Sequence, residues 1–218
     1  MHVVIFAGGI VRPGKAFYTA LGSADMLIAA DSGAATALQY GYIPQIVVGD
    51  FDSLDASLLE DLGKKGSEIR RAAVEKDETD TELAMQVAIE EGATSITLVG
   101  ALGGARFDHA MANVLLLAGF EDVPITLIDG PSTCWIVRGQ GSSVIDGQVG
   151  DLVSLLPLTG DVRGIRTKGL YYALKGETLS FGKPRGVSNV LTGEHAEVSV
   201  ESGMLLVIYT SVEEQGGF

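Results

Sequence analysis

Four short segments gather carboxylates or phosphate-binding residue types, three of them beside glycines. They are Ala30-Asp31-Ser32-Gly33-Ala34, Gly49-Asp50-Phe51-Asp52-Ser53, Lys76-Asp77-Glu78-Thr79-Asp80 and Gly103-Gly104-Ala105-Arg106-Phe107-Asp108-His109. Asp50 and Asp52 are two apart, so in extended chain both carboxylates point the same way. Two like charges on one face need a metal ion or a Lys or Arg to neutralise them. An oxygen-only donor set favours Mg²⁺ over a soft metal. A turn in which an aspartate caps the next helix accounts for the pair as well. In the third segment Thr79 and Glu82 form a capping box, and Asp80 suits the positive end of the helix that follows. Capping does not require Lys76, Asp77 and Asp80 together, and Asp80 at a helix start can serve a metal as well as the dipole. In the fourth segment, glycines before a helix N-terminus offer backbone N–H groups to an anion, and Arg106 adds a planar fork for phosphate. The plainer reading there has Asp108 capping the helix and His109 on its surface. The segment from Gly9 to Ala16 nearly spells a Walker A loop, but Ala16 stands where a hydroxyl should hold the metal, and Pro13 removes a backbone donor.

The elements around these segments predict how they are positioned. Apolar runs at Val3–Ala7, Met26–Ala30, Ile46–Val48, Ile69–Val74, Thr94–Val99 and Ile125–Ile128 read as strands. Helical stretches fall between them at Ala34–Tyr40, Leu54–Leu62 (with Ser53 as N-cap), Thr79–Glu91 and His109–Ala118. This alternation predicts βαβ units and a mostly parallel sheet with flanking helices. Ligands of such sheets bind beyond the carboxyl ends of the strands, where Gly8-Gly9 and the first, second and fourth segments fall. After Gly130 the pattern changes to short β-like runs at Thr133–Val137, Val153–Leu156, Val162–Thr167, Glu197–Val200 and Leu205–Tyr209, with turn signals between and no helical period. The expected architecture is therefore α/β plus all-β, with a boundary near Gly130. Residues 1–130 form the α/β domain, and residues 131–218 form a small antiparallel β-sandwich.

The 218 residues carry a formal charge of −13. The acidity is uneven: residues 1–130 hold 8 basic and 19 acidic side chains, net −11, and the remainder is net −2. Such a balance argues against nucleic acid as a partner, since phosphate contacts need clustered Lys and Arg, and against docking on an anionic membrane. The single cysteine, Cys134, excludes an intramolecular disulfide and a cysteine-cluster zinc site, and fits a reducing cytoplasm. The first residues, MHVVIFAGGIV, lack a basic stretch and are broken by Gly8-Gly9, which predicts no signal peptide. No apolar run approaches membrane-spanning length.

Taken together, the four segments, with Asn113, Thr167-Lys168-Gly169-Leu170-Tyr171-Tyr172 and Gly186-Val187-Ser188-Asn189, resemble the thiamine pyrophosphokinases in type and order along nearly the whole chain. The resemblance implies a Mg²⁺-dependent, homodimeric enzyme that transfers pyrophosphate from ATP to the hydroxyl of thiamine, giving AMP and thiamine diphosphate. It implies that domain 1–130 binds ATP and Mg²⁺ and that domain 131–218 binds thiamine. Asp31, Asp50, Asp52 and Asp80 would surround the metal and the phosphates. Asp31, Ser32, Lys76, Thr79, Arg106 and Asp108 would bind ATP, and Thr167, Tyr171, Ser188 and Asn189 thiamine. Asp50, Asp52, Asp77 and Asp80 are the candidate catalytic carboxylates, with Asp80 or Asp77 accepting the proton of the attacking hydroxyl. Two other readings of the same residues are another Mg²⁺-dependent phosphotransferase or phosphohydrolase built on the Asp50/Asp52 pair, and a non-catalytic sensor of nucleotide or thiamine.

Overall fold

The computed structural model describes residues 1–52 and 54–215, which divide into two compact units, Met1–Gly130 and Pro131–Phe218. The first unit alternates strands and helices as β1 (His2–Phe6), α1 (Lys15–Gly22), β2 (Met26–Ala30), α2 (Gly33–Gln39), β3 (Ile46–Gly49), α3 (Ala56–Lys64), β4 (Glu68–Arg71), α4 (Asp80–Glu90), β5 (Ser95–Val99), α5 (Phe107–Gly119) and β6 (Ile125–Asp129). The strands lie in the order β6-β5-β1-β2-β3-β4, and every pair is parallel.

Side chains alternate across a strand, so each central strand feeds two cores. Val4 and Phe6, Leu27 and Ala29, and Val47 point into one layer with Phe17 and Leu21 of α1, Ala34 and Ala37 of α2, and Leu59 and Leu62 of α3. Helix α4 lies against β1, β2 and β3, burying Thr81, Ala84, Met85 and Ala88. A strand whose two faces are both covered is apolar at successive positions, as Val3 to Phe6 are, all 0% exposed. The chain runs from β1 toward β4, then crosses back through α4 to β5 on the other side of β1. The strand order therefore reverses between β1 and β5, and the loops leaving these two strands diverge there.

The local signals explain most boundaries. Thr79 caps α4 by accepting the Glu82 N–H at 3.2 Å. Asp55 caps α3 by accepting the Ser57 N–H at 2.9 Å, and Ser53, the expected N-cap, lies outside the described residues. Helix α5 begins two residues before the expected start, so Asp108 sits in its first turn rather than at the cap. Helix α1 has no counterpart among the expected elements. Its first residues overlap the near-Walker segment, and only Phe17, Ala20 and Leu21 are buried, too short a stripe to stand out as a helical period.

The second unit contains β7 (Ser132–Arg138), β8 (Ser142–Asp146), β9 (Leu152–Pro157), β10 (Val162–Lys168), β11 (Lys175–Leu179), β12 (Asn189–Val190), β13 (His195–Ser199), β14 (Met204–Thr210) and α6 (Val212–Gln215). One antiparallel group runs β12-β9-β14-β7 and the other β11-β10-β13-β8. Their inner faces meet in one core. Val153 and Leu155 of β9 and Leu205 and Val207 of β14 pack with Ile145 of β8, Ile165 of β10, and Ala196 and Val198 of β13, which makes the unit a β-sandwich. Strands β8, β11 and β12 go beyond the runs read from sequence. Ser142–Asp146 and Lys175–Leu179 are mostly exposed, and half-exposed strands without a strong apolar alternation leave little signal. Cys134 is buried, 5% exposed. Among the described residues no helix is long and apolar enough to cross a membrane.

Asp151 fastens one end of this sandwich. It is 2% exposed and accepts from Tyr209 Oη at 2.6 Å, Gln148 N at 2.8 Å and Val212 N at 2.9 Å. Burial pushes its carboxyl up, but these three donors outweigh burial and leave it below the ordinary carboxylate value. A depressed carboxylate contributes stability that is present above its unfolded value and lost as pH falls through the folded one. Asp151→Asn is therefore expected to cost about 1–3 kcal/mol in urea denaturation at pH 7. The difference from the unsubstituted protein should narrow as the pH falls below the carboxylate range. Equal urea midpoints at pH 7 would remove this role.

Candidate active site

The first unit carries a cleft of about 610 Å³ at the carboxyl ends of its strands, lined by Gly8 and Gly9 after β1, Asp31 and Ser32 after β2, Asp50 after β3, Lys76 to Thr81 ahead of and at the start of α4 (Asp77 excepted), and Gly100 to Asn113 around the start of α5 (Leu102, Phe107, Asp108 and Met111 excepted). Its innermost wall is backbone on backbone. The loops leaving β1 and β5 are joined by Gly9 N donating to Gly100 O at 3.0 Å and Ile10 N to Gly103 O at 3.2 Å. The approach is so close that a Cβ on Gly9 would lie 2.3 Å from Gly103 O, and one on Gly103 would lie 2.0 Å from Ile10 O. This contact also disposes of the Walker A resemblance. Gly9 and Ile10 are engaged with the β5 loop, and the Arg12 guanidinium binds Asp129 through two hydrogen bonds.

The strand ends hold their carboxylates through unusual backbone. Asp31 has φ 44° and Phe51 φ 62°, a left-handed region that costs a residue with a Cβ about 1–2 kcal/mol. At Phe51 the turn sends the ring inward, 6% exposed, beneath the Arg71 guanidinium, which stands 5.3 Å from the ring centre. The Asp50–Asp52 segment is thus a turn and not extended chain. Asp50 lines the cleft, whereas Asp52 is exposed beside it, its N–H donating to Asp50 Oδ1 at 3.2 Å. Repulsion from Asp50 first, then lost solvation and the charges of Asp31 and Asp80, holds the Asp52 carboxyl above its ordinary value.

Lys76 stands among these carboxylates. Its Nζ lies 2.6 Å from Asp80 Oδ1 and 3.7 Å from Asp50 Oδ2, with 13% of the lysine side chain exposed. Burial pulls the ammonium down, but the hydrogen bond to Asp80 and the charges of Asp80, Asp50 and Asp31 more than offset it, leaving it above the ordinary lysine value. Arg106 reaches Asp108 with Nη2–Oδ2 at 2.7 Å. That guanidinium, aided by the His109 N–H, holds the Asp108 carboxyl well below the usual range.

Of the residues read from sequence, Asp31, Ser32, Asp50, Lys76, Thr79, Asp80 and Arg106 therefore line one cleft. Asp52, Asp77 and Asp108 are exposed outside its lining. Glu78, His109 and Asn113 also line it without having been singled out as site residues. Asn113 is 6% exposed and donates to Ala101 O at 2.7 Å, so it fixes the loop after β5. Asn113 is the one polar side chain between Ala110 and Gly119 of α5, and that was the signal available for it.

In the second unit, Asn189 is buried and makes three hydrogen bonds to backbone. Its Oδ1 accepts the N–H groups of Tyr172 and Val190, and its Nδ2 donates to Tyr172 O, all at 2.9 Å. Thr167 is likewise buried, accepting the Leu174 N–H at 2.8 Å. These two shape the loop, while Tyr171 and Ser188 present exposed groups. The Tyr171 and Tyr172 rings meet edge to face at 4.9 Å, and Ser188 has φ 57°.

Among the described residues no three His, Cys, Asp or Glu side chains converge as a preformed metal cage. The donors present are carboxylate oxygens, a chemistry that suits Mg²⁺. That ion is usually held by one or two carboxylates, with phosphates and water completing its shell. The Asp50–Asp80 pair fits such a partial site.

Comparison with known proteins gives the family. The family model described as thiamin pyrophosphokinase, catalytic domain, matches residues 17–128, and that described as thiamin pyrophosphokinase, vitamin B1 binding domain, matches residues 143–205. The chain belongs to the thiamin pyrophosphokinase family. Thiamine pyrophosphokinase from Bacillus subtilis is 28% identical over 183 residues, covering 83% of this chain and 85% of the relative. Its crystal structure superposes with a TM-score of 0.85 over 97% of this chain and 100% of that one, at 27% identity. The crystal structure of thiamin pyrophosphokinase from Geobacillus thermodenitrificans gives 0.80 over 97% and 98%, at 30% identity. The reaction of the family is pyrophosphoryl transfer to thiamine, with ATP as co-substrate.

The backbone contact between the β1 and β5 loops yields a direct test. Gly103→Ala forces the loops apart and is expected to lower stability by about 1–3 kcal/mol, with faster proteolysis between residues 100 and 106. Unchanged melting and digestion would show that the loops separate freely.

Proposed function

We propose that the chain transfers the pyrophosphoryl group of ATP to thiamine with the triphosphate and Mg²⁺ in the cleft of the first unit, and with thiamine bound by the second. The observation that carries this reading is the meeting of Asp50 and Asp80 around Lys76 beneath glycine-rich loops. Asp50 and Asp80 would hold the metal, with Asp31 and Asp52 adding negative charge around it. Bound Mg²⁺ would neutralise the triphosphate and draw electron density from the attacked β-phosphorus. Lys76 and Arg106 would bind phosphate oxygens, and the open N-terminus of α4, begun by Thr79, favours negative charge. Ser32 lines the same wall, and Asp108 would act by orienting Arg106. Asp80 lines the cleft and Asp77 does not, which favours Asp80 over Asp77 as acceptor of the thiamine hydroxyl proton. In the second unit Tyr171 and Ser188 would meet thiamine, the ring by stacking on a flat cation, with Thr167 and Asn189 positioning them.

We further propose a cytoplasmic homodimer. Phe107, Met111 and Leu115 recur every four residues along α5 and are 76%, 44% and 52% exposed, an apolar stripe that a second copy would cover. Light scattering at assay concentration should report twice the 22.7 kDa chain mass, and a monomer would remove the assembly from this reading.

The purified protein should convert ATP and thiamine into equal amounts of AMP and thiamine diphosphate, and EDTA should abolish turnover. Asp50→Asn should lower kcat/KM by on the order of 100-fold with circular dichroism unchanged. ADP as the sole nucleotide product, or full activity of Asp50→Asn at limiting Mg²⁺, would overturn the assignment.

A further inference from the structure

We propose that Lys76 is an internal counter-ion that keeps metal out of the carboxylate pair until nucleotide arrives, so that metal and nucleotide bind cooperatively. The proposal rests on the reading of this cleft as the metal–nucleotide site. The lysine ammonium stands between Asp80 Oδ1, at 2.6 Å, and Asp50 Oδ2, at 3.7 Å. An ion shared by those two carboxylates must take the same space. The three side chains are 13%, 30% and 16% exposed, so water and salt screen the contact only in part. Among the described residues, Lys76 and Arg106 are the two Lys or Arg side chains that line the cleft, and Arg106 is paired with Asp108. Lys76 is therefore the cation that offsets the charges of Asp31, Asp50 and Asp80 in the protein without ligands.

A bare divalent ion entering this pair must break the Lys76–Asp80 bond and leave the ammonium facing a second cation. A triphosphate changes that balance, because its oxygens give the ammonium a new partner while the metal takes the carboxylates. Metal binding and nucleotide binding then each favour the other, by the same factor in both directions. A lysine that only touched phosphate would weaken nucleotide binding when removed, and would leave the affinity for metal alone unchanged.

The test uses Mn²⁺ as a paramagnetic probe, read by electron paramagnetic resonance, with and without a non-hydrolysable ATP analogue. Lys76→Gln should bind Mn²⁺ alone roughly tenfold more tightly than the unsubstituted protein, within the span usual for coupled sites. Its cooperativity with nucleotide should fall by a similar factor. Lys76→Arg, which keeps the charge, should behave like the unsubstituted protein. Two results would overturn the proposal: unchanged or weaker Mn²⁺ binding by Lys76→Gln while the Mn²⁺–nucleotide complex still binds, or independent binding of Mn²⁺ and nucleotide to the unsubstituted protein, which needs no variant at all. If neither protein binds Mn²⁺ even with nucleotide, the reading of the cleft as a metal–nucleotide site fails and takes the proposal with it.

Discussion

Carboxylates crowded at the ends of neighbouring strands repel one another, and the first unit is organised around opposing that repulsion. Asp31, Asp50 and Asp80 arrive from β2, β3 and the start of α4, elements held by their own apolar cores. The sheet and the α4 packing can impose positions that the charges alone would not choose. The left-handed backbone at Asp31 and Phe51 is the local sign of that imposition. Burying Phe51 under Arg71 anchors the turn that presents Asp50. Lys76 then relieves part of the remaining repulsion from within.

The two units solve different problems. The first gathers charge at one edge of a sheet whose strands are covered on both faces. The second carries little net charge and uses its buried polar groups to fix backbone. Asp151 gathers three donors at one end of the sandwich, and Asn189 fastens the Tyr171–Tyr172 loop. A buried polar group in an apolar surround is expensive unless satisfied, and once satisfied it specifies one conformation. In this unit side chains with no reactive role decide which groups face outward.

Much of this was legible in the residues. Parallel strands covered on both faces are apolar at successive positions, so Val3 to Ala7 and Met26 to Ala30 announce themselves. The glycine and aspartate punctuation after them marks the cleft edge. The resemblance to a known family added the order of the motifs. What stayed hidden has physical reasons. Strands β8 and β11 expose most of their side chains and lack a clear alternation. The same-face argument for Asp50 and Asp52 assumed extended chain, whereas Phe51 turns left-handed because its ring finds a core. Asn189 and Thr167 look like binding residues by type, and only folding reveals the bonds they also make to the backbone of Tyr172, Val190 and Leu174.

The seam between the β1 and β5 loops is written entirely in main-chain atoms, Gly9 to Gly100 and Ile10 to Gly103. Such a seam is indifferent to most side chains around it. Its hydrogen bonds use the Gly9 and Ile10 N–H groups and no side chain, whereas a Cβ at Gly9 or Gly103 would meet backbone oxygen at 2.3 or 2.0 Å. Evolutionary drift can therefore change side chains that line the cleft outside the seam, such as Ala105 or Ala110, one at a time while the seam keeps its shape.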